Sequence, residues 1–169
     1  MSNEFVALIA NIALTLSVIV AVVFGIAQVK NAKKDRRERL TLDTLRSFQT
    51  REFAEMLHYI NNIKIPTSTT EWSNWPEEDQ IRVVHLSQQM ESLGLLLAER
   101  FISIDLVDKT LGSFVSTTWE QYKPLIVDMR EVNADPHLNE YFQWMAEQID
   151  RRMKAKPRKP FFLSSKDAV

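Results

Sequence analysis

Apolar residues are distributed along this chain in two distinct ways. From Phe5 to Val29 they form one run of 25 residues without an ionisable side chain. Beyond Leu40 they recur at three- and four-residue spacings between charged positions, the pattern of helices that bury one side. As a helix the first run would be about 37 Å long, enough to cross the ~30 Å apolar core of a bilayer with some tilt. A core helix of this length would normally be interrupted by charge. A cleaved leader carries its positive charge before a shorter apolar stretch, and here only Glu4 precedes the run. Residues 1–29 are therefore expected to be an extracytoplasmic tip and a transmembrane helix.

The flanks give the span a direction. Lys30, Lys33, Lys34, Arg36, Arg37 and Arg39 follow it, and no Lys or Arg precedes it. The positive-inside rule then places Met1–Glu4 outside and the rest in the cytoplasm, a single-pass arrangement in the cell inner membrane. The same six cations can attract anionic lipid headgroups of the inner leaflet. Within the span Ala13, Ser17, Ala21 and Gly25 recur every fourth residue, a candidate ridge for close helix–helix approach and homo-oligomer formation. Asn11 and Thr15 fall on roughly the opposite side and do not extend it.

Residues 30–49 read as a basic juxtamembrane helix continuing from the span, with Leu42, Leu45 and Phe48 on its apolar side. The helical cytoplasmic domain is expected over residues 50–153. Thr50 should cap a helix with Glu52 in its first turn and Phe53, Leu57 and Ile60 inward, ended by Ile65-Pro66. Thr67 to Asn74 reads as a Ser/Thr-rich loop. Pro76 and three acids then open a central helix to about Ile102, buried along Val83, Leu86, Met90, Leu93 and Leu97. Asp105 is expected to cap the next helix, with Val107, Leu111, Phe114, Tyr122 and Met129 inward and Pro124 kinking or dividing it. Asp135-Pro136 is expected to open a last helix with Leu138, Tyr141, Met145 and Ile149 on one side. Residues 154–169 read as a basic mobile tail with a PxxP spacing at Pro157 and Pro160, either a solvated terminus or, with Phe161 and Phe162 beside its cations, a second segment able to dock on the anionic inner leaflet.

Composition sharpens this into an all-α class: one N-terminal transmembrane helix continuing into a bundle of about four helices. With 3 glycines and 6 prolines in 169 residues, the chain lacks the turns of an all-β protein. The absence of cysteine excludes disulfides, thiolate metal sites and a cysteine nucleophile. The net charge of −1 conceals segregation: residues 30–39 carry +4, residues 40–149 carry −9 and residues 150–169 carry +5. An acidic folded region repels phosphates, so nucleic acid is not an expected partner.

Candidate chemistry is sparse. Glu55 and His58 lie one helical turn apart, as in bundle metal sites, but His85 and His137 have no carboxylate at the matching position. No phosphate loop, nucleophile elbow or zinc-protease motif occurs, and no metal or cofactor is implied. Glu91, between Met90 and Leu93 in the most apolar helix, is a candidate buried pair with Arg130. Trp72 and Trp75 could pack over helix ends or face a membrane interface or partner.

The order of these features resembles the bacterial family catalogued as domain of unknown function 4760. The matching stretches are Leu42–Phe48, Met90-Glu91-Ser92-Leu93, Ile104-Asp105, Trp119, Tyr122, Pro124-Leu125-Ile126, Arg130 and Tyr141-Phe142-Gln143-Trp144. The resemblance implies a bacterial membrane protein with an all-α domain and implies no activity. The reading carried forward is a membrane-anchored interaction or regulatory module with a protein partner and no evident catalytic activity. Two alternatives stay open: an enzyme with an unadvertised site near Glu91 and Arg130, and a small membrane-acting defence or toxin-type effector.

Overall fold

The computed structural model describes residues 3–160 and Leu163, apart from the side chains of Glu4 and Phe5. Much of the outer tip, the first apolar side chain and the Phe161–Phe162 pair thus lie outside the described residues. Among the described residues six helices are delimited, in order α1 Asn3–Arg46, α2 Arg51–Asn62, α3 Thr69–Ser73, α4 Glu77–Ala98, α5 Ile104–Asn133 and α6 Glu140–Ala155. Among the described residues there is no strand. The chain divides into two compact units, Met1–Arg39 and Leu40–Val169.

The first unit is most of α1. Its large apolar side chains from Val6 to Val29 are each 51–68% exposed, and the stretch is long and apolar enough to cross a membrane. Two hydroxyls inside it bond back to their own helix. The Thr15 hydroxyl donates to the Asn11 carbonyl and the Ser17 hydroxyl to the Ala13 carbonyl, both at 2.8 Å.

The second unit is a bundle built on α4, α5 and α6. Val83, Leu86, Met90, Leu93 and Leu97 are all buried, so the three-and-four spacing of α4 translates directly into its core side. Against them pack Val107, Val115, Trp119, Tyr122, Leu125 and Ile126 of α5 and Phe142, Met145 and Ile149 of α6. Phe142 meets the edges of Trp119 and Tyr122 at centroid distances of 5.2 and 6.0 Å. The last turns of α1 enter this core through Leu45 and Thr41, whereas Leu42 is exposed. Thr50 caps α2 as its sequence implies, accepting from the Phe53 N–H at 3.1 Å, and Phe53 stacks edge-on against Phe48 and Phe114.

The elements differ from those expected at six points. α2 stops at Asn62, short of the Ile65-Pro66 pair. The Ser/Thr-rich segment holds the short helix α3, because Ser68 caps it and Asp128 of α5 accepts from both the N–H and the hydroxyl of Thr69. α4 ends at Ala98, where Arg100 turns left-handed (φ 59°) and Phe101 and Arg100 bond back to Leu96 and Leu97. Ser103, not Asp105, is the cap position of α5. α5 runs unbroken through the exposed Pro124, and α6 begins at Glu140 rather than at Asp135-Pro136. Asp135 instead accepts from the His137 N–H within the connecting turn.

Candidate functional site

Glu91 and Arg130 converge on the start of α6 without pairing. One Glu91 oxygen accepts from the Phe142 N–H at 2.7 Å and the other from the Tyr141 N–H at 3.2 Å. These are among the first N–H groups of α6, which its own sequence leaves without a side-chain cap, since Asn139 at the cap position is left-handed (φ 57°). A carboxylate there also complements the positive end of the helix. Asn139 itself is buried and accepts from the Ser87 hydroxyl at 2.7 Å. From α5, Arg130 donates to the Leu138 carbonyl at 2.9 Å and to Gln143 Oε1 at 2.6 Å. Its Nη2 is buried without a hydrogen-bond partner. Glu91 and Arg130 thus have other partners: the backbone of α6 offers the carboxylate its donors, and the Leu138 carbonyl in the connector and the Gln143 side chain in α6 offer the guanidinium its acceptors.

Gly94 makes this junction close. A Cβ on Gly94 would collide with the Tyr141 carbonyl, so only glycine lets α4 reach the first turn of α6 that Glu91 caps. Nearby, burial pushes the Tyr122 phenol pKa upward and keeps it a donor to the Val83 carbonyl at 3.3 Å. These contacts hold three helices in register. They are the chemistry of a clasp.

The other residues singled out by sequence are dispersed. Lys30, Lys33, Lys34, Arg36, Arg37 and Arg39 are exposed along α1, with Lys34 only 3.9 Å from Glu38. Ala13, Ser17, Ala21 and Gly25 are exposed, and a Cβ on Gly25 would meet nothing within 4 Å. His58 and His85 are exposed, and among the described residues no three His, Asp or Glu side chains are arranged to hold a metal ion. A hydrogen bond to Glu140 raises the pKa of the exposed His137. Trp72 and Trp75 stack on each other at 5.7 Å and lie half-buried against the core. Gln80 fixes them by donating to both of their carbonyls.

Residues 15–149 match the model of the family described as a domain of unknown function, DUF4760. The chain belongs to this family. No curated protein and no solved structure matches it. The DUF4760 match begins within the apolar stretch of α1 and ends in α6, so it includes Glu91, Gly94, Arg130 and the start of α6.

Two features of the DUF4760 fold were missed by sequence reasoning. α4 has a second, outward stripe: Ile81, Val84 and Leu95 are each more than 40% exposed. Shallow grooves beside it are lined by Trp72, His85, Gln88 and Leu96. Ile81 and Val84 are three apart, but Leu95 follows eleven residues later with Gln88 and Ser92 between, and the stronger buried stripe masks them. The second is Asp108, buried in α5 and facing Arg158 from the basic tail. Their separation of fifty residues leaves no local signal.

Proposed function

We propose that this chain is a single-pass protein of a bacterial inner membrane, Met1 outside, whose domain from Leu40 onward is a cytoplasmic interaction or regulatory module. The observation that carries the reading is the junction in α1 of two surfaces: exposed large apolar side chains up to Val29, then six exposed cations from Lys30 to Arg39. Water does not tolerate the first surface, and the second is the sign of charge retained on the cytoplasmic side. The open ridge at Ala13, Ser17, Ala21 and Gly25 supports a dimer in lipid. The outward α4 stripe supports protein contact by the domain. Glu91 and Arg130 have their main polar atoms committed to the start of α6, which favours a binding module over chemistry at that point.

The test is alkaline carbonate extraction together with C-terminal reporters. The chain should remain with membranes, a C-terminal fluorescent protein should be bright, and a C-terminal periplasmic phosphatase should be inactive. Release by carbonate or an active phosphatase would overturn the assignment.

A further inference from the structure

Arg158 lies three residues beyond the end of α6 and returns to the first turns of α5. Its Nη2 donates to the Asp108 carbonyl at 2.9 Å and stands 3.3 Å from the Asp108 carboxylate. The Asp108 side chain is only 8% exposed, whereas that of Arg158 is 41% exposed. A buried carboxylate needs a cation, and the alternative, Arg152, is 3.9 Å away and already paired with Asp105. Arg158 is thus held by a buried charge yet reachable from solvent.

The surroundings carry an excess of positive charge. Lys109, Arg152, Lys156 and Arg158 line one groove of about 440 Å³ with Asp105 and Asp108 as its carboxylates. Four cations against two acids draw anions toward the latch. A phosphate, like a carboxylate, can accept two parallel N–H bonds from a guanidinium. Chain neighbours Lys154 and Lys159 add to the attraction of an anionic surface.

We propose that Asp108 and the phosphate of an anionic phospholipid headgroup compete for Arg158, so that the segment Lys156–Lys159 exchanges between α5 and the membrane surface. This rests on the membrane assignment above. The span localises the chain, and the latch makes exposure of its second basic segment depend on lipid charge.

The chain has no cysteine, so a Lys159→Cys variant of the full chain carries one spin label. It is placed in nanodiscs of phosphatidylcholine, with or without phosphatidylserine. In neutral discs the label should be restrained, and Asp108→Asn should mobilise it with the helical circular dichroism unchanged. Arg158→Gln, at an exposed side chain, provides a second variant that should also mobilise it. Adding phosphatidylserine should move the wild-type label to a membrane-bound spectrum. Arg158→Gln should weaken that binding about fivefold, the share of one cation at an anionic surface. Equal mobility in the wild type and both variants in neutral discs would remove the latch. No response to phosphatidylserine would remove the competition. Release by inorganic phosphate in neutral discs would assign the site to the free ion and overturn the headgroup. A chain that does not co-elute with discs overturns the membrane assignment itself, an outcome read separately from the label.

Discussion

Phe24 and Phe142 occupy opposite surroundings on two helices of this chain. Phe24, in the apolar stretch of α1, is 68% exposed, and Phe142, at the start of α6, is fully buried. The glycines repeat the contrast: a Cβ at Gly25 meets nothing within 4 Å, and one at Gly94 strikes the Tyr141 carbonyl. Both residues are large and apolar, yet only Phe142 has protein around it. α4 and α6 alternate apolar and polar positions because one side faces a neighbour and the other faces water. The apolar stretch of α1 does not alternate, which is the composition of a helix long and apolar enough to cross a membrane. Periodicity, more than hydrophobicity, separates the two.

The largest expected effect follows from the phenylalanines. Phe142→Ala removes a ring that fills the space between Trp119 and Tyr122, and should lower the stability of the domain by about 3–5 kcal/mol. Phe24→Ala should leave the denaturant midpoint of the domain unchanged. Equal losses at both positions, measured by urea unfolding in detergent, would break the distinction between the two environments.

The glycines give a smaller and more directional test. Gly94→Val forces α4 and α6 apart at their closest point and should cost about 1–3 kcal/mol. Gly25→Val should be silent in domain unfolding. Its expected effect lies elsewhere, as a lower dimer fraction by energy transfer between labelled chains in lipid, because a branched side chain interrupts the small-residue ridge. A Gly25→Val chain that associates as the wild type does would show that the ridge is unused.

How much of this was legible in the sequence depended on where each determinant lies. The apolar stretch, the Thr50 cap and the buried side of α4 are local patterns, and each appears where its residues place it. Helix ends were less legible because their usual signal is missing. With so few glycines, the left-handed positions after α4 and α5 fall to Arg100 and Ala134, neither of which reads as a stop. Determinants supplied from afar were invisible: Asp128 organises α3 from 59 residues away, and Arg158 reaches Asp108 across 50. Glu91 and Arg130 were expected as a buried pair, and both bond to other partners around the start of α6. Those partners were not legible because the α6 backbone, which supplies the donors, has no signature in sequence.

That junction provides the finest test, because a cap and a catalytic carboxylate respond differently to the same substitutions. Glu91→Ala leaves the Tyr141 and Phe142 N–H groups without acceptors at the start of α6 and should cost about 1–2 kcal/mol. Glu91→Gln keeps one acceptor oxygen, sets its NH2 against the other N–H and loses the charge facing the helix end, so its cost should be about 1 kcal/mol and no more than that of Ala. Amide exchange supplies the local readout, since Tyr141 and Phe142 should both lose protection in Glu91→Ala and only one of them in Glu91→Gln. The exposed stretch of α1 should not respond to either change. If Gln cost as much as Ala and both amides exchanged equally fast in the two variants, the oxygen that Gln keeps would be worth nothing, and the role of Glu91 as a hydrogen-bonding cap would have to be abandoned. If both were silent, α6 would be held by its apolar face alone, and Gly94 would mark close packing without the clasp beside it.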